Sequence, residues 1–211
     1  MEDVRSFLDL LETKTANLVG ASIGSDVLTG FAEKYPERIE KLVYVDEASD
    51  PSELAHLDPF AIVPPGLTAQ PTRADFRAKY WRFIEGAETW TPALEADMHF
   101  GQAVGPSGRI ELQLSDSLAA SFIRGKAIPD HSRIRAPVLA IFSHGYIWAT
   151  VSPGQREAAR RAWNQERERH AERFRQLVPG AEVVVLDGGA HPLLIQRGND
   201  VVRVARTFLL K

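Results

Sequence analysis

Cysteine is absent from all 211 residues. That excludes disulfides and thiolate zinc sites, and it leaves the redox compartment open. No apolar run approaches the roughly 18 residues of a membrane span, so no membrane partner is expected. The N-terminal segment MEDVRSFLDLLETK is acidic and amphipathic, where a signal peptide is basic and then apolar. The expected location is the cytoplasm. Basic excess is missing too: 25 Lys and Arg stand against 28 Asp and Glu, a net charge of −3. Nucleic acid is therefore not an expected partner. Internal repeats are lacking. What remains, 44% apolar and 25% charged, is an ordinary globular composition, long enough for one domain or one core with an inserted subdomain.

Val4, Phe7, Leu8 and Leu11 recur at helical spacing, which predicts an amphipathic helix over 3–13. Residues 16–20 read as a short buried strand and 25–34 as a helix stopped at Tyr35-Pro36. Residues 41–46 are a second β-rich run that ends in Asp46. Strand, helix and strand with short connections form a βαβ unit, and so imply a parallel sheet. The pattern breaks at Ser49. Asp50, Pro51 and Glu53 look like the cap, first turn and third position of a new helix. Beyond them the chain is rich in aromatics and broken by Pro and Gly, with no strong strand, and reads as a mostly helical insertion. Strand character returns over 137–142 and 182–187, separated by a charged helix over about 154–178. An amphipathic helix over 199–210 closes the chain. The expected organisation is an α/β core over 1–50 and 135–211, with the insertion at 51–134.

Chemistry enters at Gly20-Ala21-Ser22-Ile23-Gly24, a G-x-S-x-G pattern. By chance the bare pattern occurs in roughly one chain in fifteen of this length, so context decides. Here it follows a predicted strand and precedes a predicted helix, the setting in which a tight turn lifts a serine hydroxyl above a sheet. The helix N-terminus behind Ser22 favours developing negative charge. A serine nucleophile needs a base. Of six histidines, His191 alone follows a late strand, in the loop Gly188-Gly189-Ala190-His191-Pro192. Loops at the C-terminal ends of parallel strands are where open α/β sheets build their sites. Asp46 ends the second strand at the same sheet edge and is the candidate to orient the imidazole, with Glu47, Asp50 and Asp187 as competitors. Residues 155–175 interleave acids and bases at helical spacing, which reads as a solvated helix face.

The order Ser22, Asp46, His191 resembles the Ser…Asp…His order of the α/β-hydrolase superfamily. NLVGASIGSDVLTGFAEKYPERIEKLVYVDEASD resembles that family's elbow and sixth strand. IRAPVLAIF resembles the entry to its seventh strand. GAEVVVLDGGAHPLLIQRGNDVVRVARTFL resembles its eighth strand, histidine loop and final helix. The insertion falls where the family carries its cap. The resemblance implies a partial α/β-hydrolase fold with a parallel sheet of about four strands, helices on both faces and a helical cap. It further implies acyl-enzyme chemistry on a small, largely apolar ester, lactone or thioester. In it Ser22 is the nucleophile, His191 the base and Asp46 the acid, and the Ile23 amide serves the oxyanion hole. Neither a cofactor nor a metal is implied.

Two departures stand out. Many members carry the acid after the seventh strand, where this chain reads Ser143-His144-Gly145-Tyr146 without a carboxylate. Others place it after the sixth, where Asp46 stands. The strands that usually precede the elbow are also missing, and with them the loop that supplies a second oxyanion amide. The strand over 16–20 is then expected to be an open apolar edge. A chain lacking the N-terminal part of the fold is the first expectation. A homodimer paired through that edge is another, and a non-catalytic binding module built on the same fold is the rival from a different class.

Overall fold

The computed structural model describes residues 1–46, 72, 74, 103–104, 110–111, 130–144, 154, 156–189 and 193–211. The chain divides into two compact units. One comprises Met1–Asp50, Pro129–Tyr146 and Glu157–Lys211, the other Pro51–Ile128 and Ile147–Arg156. Within the second unit, β3 (Ala103–Val104) pairs antiparallel with β4 (Ile110–Glu111). Strands of two residues are too short to show alternation in the sequence. The helix start at Asp50 to Glu53 and the aromatic segment around it otherwise lie outside the described residues.

In the first unit α1 (Glu2–Leu10) leads into β1 (Ala16–Ala21), α2 (Ile23–Lys34) and β2 (Ile39–Val45). After the insertion come β5 (Val138–Ser143), α3 (Arg156–Leu177) and β6 (Glu182–Leu186), then the short α4 (Leu193–Gln196) and α5 (Gly198–Leu209). The four strands form one parallel sheet in the order β1-β2-β5-β6. Parallel strands need crossovers, so each face is covered by helices, and the central strands become continuous apolar runs. Leu42 to Val45 and Val138 to Phe142 are all buried. Alternate residues divide between two cores. Leu42, Tyr44, Ala140 and Phe142 meet Leu28 and Phe31 of α2 and Phe174 of α3. Val43, Val45, Leu139 and Ile141 meet Val201, Ala205 and Phe208 of α5.

The edges differ from the centre. β1 pairs with β2 alone among the described residues. Val19, in register with buried Val43, is 53% exposed. The core between α5 and the sheet takes in Ala21 at the end of β1 but leaves Val19 exposed. On the opposite face α1 docks by Leu8, which is buried, and by Glu2. The Glu2 carboxylate accepts hydrogen bonds from Lys34 Nζ and, at 2.7 Å, from the Tyr35 hydroxyl. Phe7 and Leu10 of the same helix, and Leu11 just after it, stay exposed.

The turn from β1 into α2 is set by one close approach. A Cβ on Gly20 would lie 2.6 Å from the Gly24 carbonyl oxygen and 2.8 Å from Leu28 Cγ, whereas one on Gly24 would meet nothing within 4 Å. The first glycine of the motif is thus a steric requirement and the second is not. Gly20→Ala should cost about 1–3 kcal/mol through overpacking. Gly24→Ala should be neutral or stabilise by about 0.5–1 kcal/mol, because alanine suits a helix better. Urea denaturation of both variants measures the contrast, and equal effects would remove the steric account.

Glu2 titrates at about 2 rather than its usual 4.5, held down by Lys34 first, then Tyr35 and Arg5. A lowered carboxyl pKa stabilises the fold above the unfolded value, and that stabilisation disappears as pH falls through the folded one. The gap between wild type and Glu2→Gln in urea midpoint should be constant above about pH 5 and close between pH 4.5 and 2.

Candidate active site

Ser22 has φ 50° and ψ −123°, a conformation that non-glycine residues rarely occupy and that needs support from its surroundings. That support comes from both sides. The Ser22 N–H donates to the Val45 carbonyl at 3.1 Å, and the Ser22 carbonyl accepts from the Ser25 N–H at 2.8 Å. Ser25, itself buried, donates its hydroxyl to the Gly20 carbonyl at 3.2 Å. The turn is therefore tied to the next strand, to its own helix and to the strand it leaves. α2 starts at Ile23, two residues earlier than the sequence pattern suggests. The Ile23 N–H is thus among the first of the helix, whose leading donors have no partner within it. Ser22 is half-buried at the positive end of α2.

Asp46 follows β2 just as Ser22 follows β1, one residue beyond the paired Ala21 and Val45. It too has a positive φ, 61°. The one other non-glycine residue with this property among those described is Glu12, in the exposed turn after α1. The Asp46 N–H donates to the Ile141 carbonyl at 2.7 Å. Its carboxylate is buried and accepts from the Ser143 hydroxyl at 2.9 Å. Arg167 Nη2 stands 3.5 Å from the same carboxylate oxygen and donates to the Asp46 carbonyl at 3.4 Å. A charge taken out of water must be compensated in this way. Arg167 comes from α3, whose charged run reads in sequence as a solvated face. Most of it is, but Arg167, His170, Ala171 and Phe174 form a buried inner stripe. The Arg167 guanidinium lies 4.6 Å from the Trp163 ring centroid, one turn earlier.

His191, Glu47 and Asp50 lie outside the described residues. The loop toward His191 leaves β6 through Gly188 at φ 67° and Gly189 at φ 144°, and it re-enters described structure at the buried Leu193. Asp187 falls outside β6, with its side chain 98% exposed and its carboxylate 3.1 Å from His144 Nδ1. On the other side of that ring, Nε2 faces Glu168 at 2.8 Å. His131 packs in the core of the first unit, edge-on to Phe174, and buried His170 faces Glu166 at 3.1 Å. Among the described residues no cluster of three or more His, Cys, Asp or Glu could hold a metal ion.

The structure thus brings Ser22, the Ile23 amide and Asp46 to one edge of the sheet. The partners Ser143 and Arg167 were not anticipated. Ser143 carries a weak signal, as the polar end of an apolar strand, whereas Arg167 is one of many arginines in a charged helix.

No protein-family model and no curated protein matches the sequence. Solved structures do. E-2-(acetamidomethylene)succinate hydrolase aligns with a TM-score of 0.73 at 20% identity, over 100% of this chain and 72% of that one. Carboxylesterase from Bacillus subtilis gives 0.61 at 21%, over 98% and 64%. An esterase from a marine microorganism gives 0.61 at 16%, over 98% and 75%. These neighbours are hydrolases, and at such identities the likeness speaks to architecture. With its parallel order β1-β2-β5-β6 and a strained serine between β1 and α2, the chain has a partial α/β-hydrolase fold.

Proposed function

We propose that this chain carries the catalytic part of a serine hydrolase that acts by acyl-enzyme chemistry and lacks the N-terminal third of the fold. One observation carries the reading: Ser22 is held in a strained conformation at a helix N-terminus, by bonds to β2 and to that helix. Its hydroxyl oxygen attacks an acyl carbonyl carbon and its proton passes to His191. The oxyanion of the tetrahedral intermediate takes the Ile23 N–H. The intermediate collapses, the alcohol or thiol leaves with the proton from His191, and the acyl group stays on Ser22. Water, losing a proton to His191, then releases the acid and restores the serine. Asp46 holds the imidazole tautomer. The proposed substrate is a small, largely apolar ester, lactone or thioester. Esterases among the structural neighbours support this, as does one neighbour described as an N-acyl homoserine lactone degrading enzyme. No nucleotide or metal enters the proposal.

The proposal includes a neighbour for β1 and a second oxyanion amide from chain beyond this sequence. Half-exposed Val19 and a chain spanning 64–75% of the aligned structures support that part. The rival reading, a non-catalytic binding module, draws on Asp46, whose carboxylate already serves Ser143 and Arg167.

A fluorophosphonate probe separates the two. The expected result is one adduct, mapped by mass spectrometry to Ser22 and lost in Ser22→Ala. Removing one oxyanion donor costs about 10²–10³ in rate, so a version extended at its N-terminus should label faster. If neither form is labelled, the hydrolase reading fails.

Asp46→Asn should lower kcat on a short-chain p-nitrophenyl ester by about 10⁴ if Asp46 orients the base. It should also destabilise, since it leaves the Arg167 charge buried without its partner, at about 3–5 kcal/mol. Adding Arg167→Met removes that stray charge, so the double variant should regain thermal stability but not activity. A kcat loss below tenfold would move the acid to Glu47 or Asp187.

A further inference from the structure

The geometry points to Arg197 as the positioning residue of the loop that bears His191, an inference that rests on the hydrolase reading. Arg197 is the single residue between α4 and α5, with φ −123° and ψ 28°. Its backbone belongs to both helices. The N–H donates to the Leu193 carbonyl at 2.8 Å, and the carbonyl accepts from the Val201 N–H at 2.9 Å. Its side chain turns back to the end of β6, where Nη1 donates to the Gly188 carbonyl at 3.0 Å and also to the Asp187 carbonyl. Asp200 fixes the guanidinium from below, at 2.9 Å from Nε and 2.8 Å from Nη2. A guanidinium suits this task, because its planar donors reach two carbonyls and a carboxylate at once without losing charge.

The stem of Arg197 acts as well. A Cβ on Gly189 would lie 3.2 Å from Arg197 Cγ and 2.9 Å from Leu193 Cδ1. The main chain of Gly189 therefore rests on the arginine stem and on a leucine that is fully buried. His191 lies in the three residues that join these two anchored points, Gly189 and Leu193. The donors on carbonyls 187 and 188 and the support under Gly189 thus fix the point from which the chain departs toward His191. Arg197 does this without touching the reacting atoms.

Arg197→Met keeps the stem and removes the donors. The expected result is amide hydrogen exchange at least tenfold faster in peptides spanning 187–193, with the remainder of the chain unchanged. Fluorophosphonate labelling of Ser22 should slow tenfold or more, and ester kcat should fall while KM holds. Arg197→Lys, which keeps a donor for one carbonyl, should return labelling to within threefold of wild type. Unchanged exchange at 187–193 overturns the inference. So does a labelling loss accompanied by faster exchange throughout the chain, which would mark Arg197 as merely structural. Failure of the hydrolase reading shows separately, as a wild type that is not labelled although the local exchange difference is present.

Discussion

The main chain of Gly24 passes over Gly20 so closely that no side chain fits between them, and the arrangement at the sheet edge depends on that crossing. It lets α2 begin immediately after Ser22 and forces the serine to a positive φ. The helix N-terminus then lies behind the hydroxyl-bearing residue. A wider turn would relax the serine but carry it away from the leading amides of α2. The strain is held by the hydrogen bond from Ser22 to Val45, and so by the pairing of β1 with β2. An isolated helix-turn could not hold it. The sheet imposes this geometry, and the glycine permits it.

The next strand repeats the device with a carboxylate. Asp46 also leaves its strand at a positive φ, and its backbone N–H bonds across to Ile141 on β5. What differs is burial. An isolated buried carboxylate is costly, so its surroundings supply a hydroxyl from β5 and a guanidinium from α3. A buried ion pair of this kind is poor evidence for stability, since an apolar pair of similar volume often does as well or better. Its value is in specificity, because it ties the end of β2 to α3 and fixes the direction of the carboxylate. That direction is what a triad acid requires, and a structural anchor would also use it.

Much of this was legible from residues. The four strands of the first unit were, because β2 and β5 are continuous apolar runs bounded by Pro36 and Pro137. The elbow was legible from its glycine spacing and its place between strand and helix, and the register then carries Ser22 and Asp46 to the same edge. The inward turn of Arg167 was not. In a helix where acids and bases alternate, only Trp163 one turn earlier and Phe174 two turns later mark the buried stripe, and apolar periodicity is diluted by charge. The pairing of His144 with Asp187 was equally hidden. It depends on β5 and β6 being neighbours, which a list of loops does not state. Asp187 looks close to His191 in sequence, four residues away, yet the structure places its carboxylate beside a different imidazole.

The clamp at Arg197 follows the same logic as the other two stations. Each candidate position sits just past a strand end, where regular pairing stops, and each is held by a group from a neighbouring element. For Ser22 that group is a carbonyl of β2. For Asp46 it is a hydroxyl of β5 and a guanidinium of α3, and for the histidine loop a guanidinium at the α4–α5 junction. β1 departs from this pattern, since its outer edge and Val19 have no covering partner among the described residues. The consequence is an uneven rigidity. Asp46 leaves a strand that is paired on both sides, whereas β1, which presents Ser22, is paired on one side among the described residues. Any element that pairs along β1 would therefore act first on Ser22, by stiffening the strand that presents it, and the contacts that fix Asp46 and the histidine loop would not change.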